Sequence, residues 1–421
     1  MVRGAVLLRS AARRVFATTT ALLLPAMTQV HAFTTTYGTG MRPWRQEVAG
    51  ACSYGTGMRP WRQEVAGASV ALQASSPDAA PDTYRAIRVP VHGGAGVLER
   101  TTLPRPQLPH GLAVRVSIRC VGVNYHDTYT RSGLYPNKLP FTNGCEGAGV
   151  ITEVGPDVTN VMVGDRVAFF EYNCAYASEA VIDAASCFKL PEEVSFEIGA
   201  AVLVQGLTAH YLATDSFSLG PQHTCVVHAA GGGTGALLVQ IAKLRGAKVI
   251  ATAFRGPKCE AARAAGADHV VAYDDTYDFL SRVMDICPDG VHCVYDSIGA
   301  KTCLASLQAL RARGTCVLYG NSSGAPPAIP PTPALAEKSL YMHRPVLQHF
   351  LASEEERQRR SSDLFRWLSE GQLQVHKHAN VVEAMLLTNV CQPVSGCAVH
   401  EICSRGMRKQ SRRRCMVSVG V

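Results

Sequence analysis

Although the chain contains fifteen cysteines, no two of them are spaced as C-x-x-C. That absence removes a zinc ribbon and a thioredoxin-like dithiol from consideration. A chain of 421 residues also needs no disulfide staples, so the thiols read as buried or inert ones in a reducing compartment. No uninterrupted apolar run of about 18 residues occurs, so no hydrophobic spanning helix is indicated. Charge is scarce as well: Asp, Glu, Lys and Arg make up 18% of the chain, against 47% hydrophobic residues. That balance excludes disorder of the whole, because enough surface can be buried to offset chain entropy. The length suits roughly two domains with extra segments.

The net charge is +8, and it sits at the ends. Residues 1–82 carry eight basic and four acidic side chains, residues 381–421 six and two, and residues 83–380 carry 27 of each sign. A groove for nucleic acid belongs on the folded body, and this body is neutral, so no nucleic-acid partner is expected.

The first 46 residues contain no acid, and Arg3, Arg9, Arg13 and Arg14 precede the apolar run Ala21–Leu24. This reads as a targeting leader outside the fold. It fits an Arg-rich mitochondrial presequence, or a bipartite plastid leader cleaved after Val30-His31-Ala32; a cytoplasmic location is the alternative. Tyr37–Ala51 recurs without change as Tyr54–Ala68. Two copies are too few and too short for a solenoid, and they read as a duplication within the leader. Val70–Asp82 reads as a linker, which makes 1–82 leader and linker together.

From Thr224 the pattern alternates. Strands are expected at Thr224–Ala229, Lys248–Thr252, His269–Ala272, Val291–Ser297 and Thr315–Tyr319. Helices are expected at Gly235–Arg245, Cys259–Ala265, Tyr277–Ile286 and Lys301–Leu310. That order implies right-handed crossovers and a parallel sheet, an α/β fold. The first strand-to-helix turn reads Ala230-Gly231-Gly232-Gly233-Thr234-Gly235, a variant of the dinucleotide fingerprint. Its small residues (Ala230, Gly232, Gly233, Thr234, Gly235) let backbone approach a pyrophosphate at the positive end of the next helix. The second strand ends without the acid that would bind a ribose 2′-hydroxyl; Arg255 and Lys258 follow instead. Two cations there suit a 2′-phosphate, so NADPH is preferred over NADH.

The body also carries Gly122-Val123-Asn124 with Asp127, Arg131–Pro136 (RSGLYP), Glu146–Gly149 (EGAG), Gly164–Val167 (GDRV), Gln205–Ala209 (QGLTA), His228-Ala229-Ala230, Tyr295–Gly299 (YDSIG), Gly320–Gly324 (GNSSG) and Arg344-Pro345. Together these resemble the zeta-crystallin-type quinone oxidoreductases of the medium-chain dehydrogenase/reductase superfamily, from about Tyr84 to about Ala379. The resemblance implies a GroES-like β-barrel over 84–204, completed by about 342–380. It implies a doubly wound Rossmann domain over 205–341, an active site in the cleft between them, and a homodimer.

The superfamily's three catalytic-zinc positions hold Asn124, Cys145 and Val204, and its four-cysteine lobe is missing, so no metal is expected. By resemblance Asn124, Tyr129, Tyr135 and Arg344 form the catalytic set, Arg344 facing a developing oxyanion. Thr208 and Asn321 lie near the nicotinamide, Ser322 also binds the coenzyme, and Tyr273 lies beside the adenosine phosphate. His126 reads as a structural histidine and Asp127 as an orienting carboxylate. No Ser-His-Asp arrangement is visible in the sequence. Residues 381–421 match no family motif and read as a divergent basic tail, which leaves the barrel without its closing element and with an exposed edge. The implied reaction is zinc-independent hydride transfer from NADPH to a quinone. An NADPH-dependent enoyl or alkenal reductase is the alternative, and an NADPH-binding RNA-binding protein a distant one.

Overall fold

Ala113–Gly122 reads AVRVSIRCVG and is buried along nearly its whole length; a β-branched strand of that kind must be covered on both faces. It is the third strand of a computed structural model that describes residues 82–375 and the strand Val381–Glu383. The leader, the repeat, most of the linker and the rest of the basic tail lie outside the described residues. In chain order, Thr83–Val89 (β1), Glu99–Pro104 (β2) and Ala113–Gly122 (β3) lead into the helix Tyr125–Ser132 (α1). Phe141–Thr142 (β4), Glu146–Val154 (β5), Arg166–Phe170 (β6), Glu179–Asp183 (β7) and Cys187–Lys189 (β8) follow, then the long helix Phe196–Tyr211 (α2). β3 pairs antiparallel with β5 and β7, β5 with β6, and β6 with β8, while β1, β2 and β4 form a separate three-stranded sheet.

Alternation begins at Thr224–Val227 (β9) and continues through Gly233–Leu244 (α3), Lys248–Phe254 (β10), Pro257–Ala264 (α4), His269–Tyr273 (β11), Leu280–Ile286 (α5), Val291–Asp296 (β12), Cys303–Gln308 (α6) and Leu310–Leu318 (β13). The short helix Pro331–Ala334 (α7), the strand Tyr341–His343 (β14) and the helix Glu354–Ser369 (α8) complete this half. The sheet is parallel, in the order β11-β10-β9-β12-β13-β14. That is the doubly wound Rossmann order, and the reversal between β9 and β12 opens a crevice at the carboxyl ends of the strands.

Helix α5 begins three residues later than the periodicity suggests. Asp274 accepts from the Thr276 amide and hydroxyl, and Tyr277 sits in the left-handed region at φ 56°; this turn holds the chain out of helix. Helix α2 runs through the 204/205 boundary and is buried on most sides. One apolar core therefore joins Ala148 and Phe170 of the first half, through Leu203 and Leu207, to Leu238 and Ile241 of the second. The expectation of an uncovered barrel edge needs correcting. Val381–Glu383 (β15) pairs antiparallel with β3, Val381 opposite Gly122, Val382 opposite Val121 and Glu383 opposite Cys120.

Candidate active site

Asn124 ends the extended run from β3 and caps α1. Its backbone N–H donates to Asp127 Oδ2 at 2.8 Å, and the Tyr176 hydroxyl donates to the same oxygen at 2.8 Å. Asp127 thus orients the start of α1, as its place three residues into the helix allows. Gly133, at φ 82°, ends the helix, and the turn brings the Tyr135 N–H onto the Tyr129 carbonyl at 3.1 Å. The rings of Tyr129 and Tyr135 then meet edge to face, 5.2 Å apart.

Across the cleft these tyrosines meet the carboxyl end of β13. The Asn321 N–H donates to Tyr129 Oη at 3.3 Å. The Asn321 amide is satisfied with its nitrogen on the Gly320 carbonyl (2.8 Å) and its oxygen accepting from Arg344 Nη2 (3.1 Å) and Tyr135 Oη (3.3 Å). Arg344 donates through Nη1 to the Leu318 carbonyl at 2.8 Å and through Nη2 to Tyr135 Oη at 3.0 Å. Tyr129, Tyr135, Asn321 and Arg344, far apart in sequence, form one hydrogen-bonded cluster. Asn124 is not part of it: its Nδ2 donates to Glu146 Oε2 at 2.8 Å, while Val204 N–H donates to Oε1 at 2.8 Å.

Glu146 has no exposed surface, and burial pushes its carboxyl up to about 8 despite those hydrogen bonds. Burial likewise raises Asp127 to about 6 and lowers His126 to about 4. Between pH 6.5 and pH 8 the folded protein therefore holds a proton on Glu146 that the unfolded chain has already released, so stability falls as pH rises. The His126 shift acts with the opposite sign, but below its ordinary pKa near 6.5. The expected loss across that window is about 1–2 kcal/mol, and Glu146→Gln should flatten it. Thermal unfolding midpoints at pH 6.5, 7 and 8 check this; an unchanged slope in the variant would refute it.

The coenzyme cradle lies at the end of β9. Ala229 adopts φ 49°, a left-handed conformation unusual for alanine, and the Gly232 N–H turns back to its carbonyl at 2.9 Å. Gly232 caps α3 without any side-chain hydrogen bond, so the first-turn N–H groups of Gly233, Thr234 and Gly235 remain open to an anion. A Cβ on Gly235 would fall 2.4 Å from the Ala229 carbonyl oxygen, so only glycine fits there. Lys258, in the first turn of α4, donates from Nζ to the Gly231 carbonyl at 3.1 Å. This sets one of the two sequence-identified cations against the turn. Arg255 is exposed just beyond β10. Tyr273 is buried at the end of β11 with its ring stacked on Tyr277, 4.8 Å away. Thr208 is half-buried on α2, and Ser322 is half-buried beside Ser297, whose carbonyl accepts the Ser322 N–H at 3.2 Å. These residues suit a phosphorylated dinucleotide.

Sequence reasoning missed a buried polar chain beneath this cradle. Thr252 Oγ1 lies 2.7 Å from His228 Nδ1, and His228 Nε2 lies 3.0 Å from Ser306 Oγ. Ser306 donates to Asp296 Oδ2 at 2.8 Å, so it must accept from a protonated Nε2 of neutral His228. Asp296 also accepts from the Ile298 and Gly299 amides and the Thr302 hydroxyl. Ser306, His228 and Asp296 come together here, though not in the order of a catalytic triad. The serine lies between the other two and is sealed from solvent, so the chain positions loops and holds no nucleophile. The Tyr295–Gly299 motif was the available signal.

The superfamily's zinc positions do not fit the metal. Val204 offers only hydrocarbon, and the Asn124 amide is committed to Glu146. His126, Asp127 and Cys145 do bring three donor atoms within 4.8 Å of one another. However, Asp127 Oδ2 is taken by Asn124 and Tyr176, and burial pushes the Cys145 thiol well above its ordinary range.

A GroES-like domain joined to a Rossmann domain across such a cleft defines a medium-chain dehydrogenase/reductase. Family models agree: residues 110–219 match the alcohol dehydrogenase GroES-like domain and residues 233–367 the zinc-binding dehydrogenase. Quinone oxidoreductase 1 of Escherichia coli is 37% identical over 287 residues, which is 68% of this chain and 87% of that protein. A Burkholderia 2-haloacrylate reductase is 36% identical over 288 residues, 65% of this chain and 84% of its own. The Escherichia coli quinone oxidoreductase solved with NADPH superposes with a TM-score of 0.68 at 35% identity, covering 76% of this chain and 95% of that one. The chain belongs to the quinone oxidoreductase family of the medium-chain dehydrogenase/reductases.

Proposed function

We propose that this NADPH-dependent oxidoreductase reduces quinones or similarly activated acceptors without zinc. The observation that supports this is the Tyr129–Asn321–Tyr135–Arg344 cluster, a cation and two phenols joined by hydrogen bonds. Bound NADPH supplies the hydride. The turn at Ala230–Gly235 holds its pyrophosphate, and Arg255 and Lys258 its 2′-phosphate. Tyr129 and Tyr135 flank a flat acceptor, their packing excludes water, and Arg344 stabilises charge on the acceptor oxygen. A quinone is reduced readily enough to need no Lewis acid. Solvent supplies the one proton that completes the reduced product.

Reduction of an activated alkene is the second reading, favoured by the Tyr129 hydroxyl, which can donate a proton, and by the likeness to the 2-haloacrylate reductase. NADPH oxidation by the full chain with a panel of quinones and enones separates the two. Quinones are expected to be the faster substrates. Tyr129→Phe should abolish alkene reduction and weaken quinone reduction by about tenfold or less. No turnover with any acceptor, despite bound NADPH, would overturn the reading. The outer side of β14, with Tyr341 63% exposed, supports a homodimer built along that strand. The acid-free, Arg-rich first 46 residues support an organellar location, mitochondrion or plastid. No helix among the described residues is long and apolar enough to cross a membrane.

A further inference from the structure

We propose that His126 is a further hydrogen-bond donor of the acceptor pocket, presenting a ring nitrogen to a quinone oxygen. The inference rests on the reading of the cleft as a quinone site and names a residue that reads as structural in the sequence.

Three other histidines show what a structural role looks like here. His228 engages Thr252 and Ser306, His210 engages Asp363 and Thr214, and His292 engages the Thr224 amide and Arg311. His126 differs. No described residue hydrogen-bonds either of its ring nitrogens, and neither is among the sealed polar atoms that lack a partner. The residue keeps part of its surface open, while Asp127 and Cys145 beside it are closed off.

Its ring is nevertheless fixed. It stacks on Tyr172 at 4.5 Å and 21°, and meets Tyr135 edge-on at 5.6 Å. His126 and Tyr129 are three apart on α1 and so share a helix face. Tyr135 thus has His126 against its ring and Arg344 on its hydroxyl. One of the His126 nitrogens lies within 4.8 Å of Cys145 Sγ and an Asp127 oxygen without a hydrogen bond to either; an oriented imidazole with unused nitrogens, half-buried among the acceptor-site aromatics, is placed to meet a ligand. Burial keeps it neutral near pH 7, so it carries one N–H to donate.

The chemistry balances without a proton leaving the ring. Hydride passes from the nicotinamide to the quinone, negative charge grows on the quinone oxygen, and the His126 N–H···O contact strengthens with it. A solvent proton then completes the hydroquinone. With Arg344 beside the same tyrosine, the pocket suits an acceptor bearing two oxygens, a quinone rather than a simple enone.

Two variants separate hydrogen bonding from packing. His126→Phe keeps the stack on Tyr172 and removes the donor; His126→Gln keeps an N–H donor and removes the ring. The phenylalanine variant is expected to lower kcat/KM for 1,4-benzoquinone about tenfold, and the glutamine variant to stay within about threefold of wild type. NADPH fluorescence titration should give an unchanged Kd for both, which also shows that they fold. The ratio of 1,4-benzoquinone to 2-cyclohexenone turnover should fall in His126→Phe. A phenylalanine variant as active as wild type, or one that is active while the glutamine variant is not, would overturn the proposal. Absence of quinone turnover in the wild type would instead overturn the quinone reading itself.

Discussion

Exchanging Arg255 and Lys258 together for alanine is expected to weaken NADPH binding by a factor of about 10² to 10⁴ and NADH binding by less than about tenfold. A charge-assisted hydrogen bond contributes roughly 1.5–3 kcal/mol, and the proposed reading gives the 2′-phosphate one such bond from each cation. Sharing that phosphate, they need not act additively, which sets the wide range. β10 itself ends in Ala253 and Phe254 with no acid, and a nearby carboxylate, Asp274, interacts with Arg255. Lys258 has a second duty: its ammonium holds the Gly231 carbonyl at 3.1 Å. Its loss therefore relaxes the pyrophosphate turn slightly for both coenzymes, which accounts for the small loss with NADH. Fluorescence titration of both coenzymes measures the effect. An equal loss for the two would show that the cations do not read the phosphate.

The second large effect concerns turnover. Arg344→Met should lower kcat for 1,4-benzoquinone about 10²-fold and leave the Kd for NADPH nearly unchanged. Removing one preorganised donor aimed at developing charge typically has an effect of that size. The guanidinium is held by the Leu318 carbonyl at 2.8 Å and Tyr135 Oη at 3.0 Å, so it is in place before the acceptor arrives. Arg344→Lys keeps the charge but loses the fork that reaches both partners, and should recover only part of the rate. Unimpaired turnover in the methionine variant would remove Arg344 from the mechanism.

The parallel sheet was legible from residues 224–319 because β-branched strands, a glycine turn and helical periodicity are local signals. Most element ends fell within a few residues. The exceptions have local causes, such as the Asp274–Tyr277 turn that delays α5. The acceptor cluster was legible only through family resemblance. Tyr129 and Asn321 meet because two domains fold against each other, and no pattern along the chain encodes that contact. The same holds for Glu146. Its motif was visible, but the burial that raises its pKa comes from α2 and β3 closing over it. The chain from Thr252 to Asp296 escaped notice because its members lie on different strands and a helix. His126 reads as structural in the sequence, which offers no way to count a ring nitrogen's partners. Strand β15 was missed for another reason: edge pairing uses main-chain hydrogen bonds, and two valines suffice where a motif was sought.

That last strand has a consequence for how the protein is made. The Rossmann half is continuous in sequence, whereas β3 of the catalytic half waits for residues 381–383. During vectorial synthesis the coenzyme domain can therefore fold completely while the edge of β3 at Cys120–Gly122 is still unpaired. A nascent chain released before Val381 would carry that edge open, ready to pair with the same edge of another copy. Completion of the barrel thus reports that translation has passed residue 383.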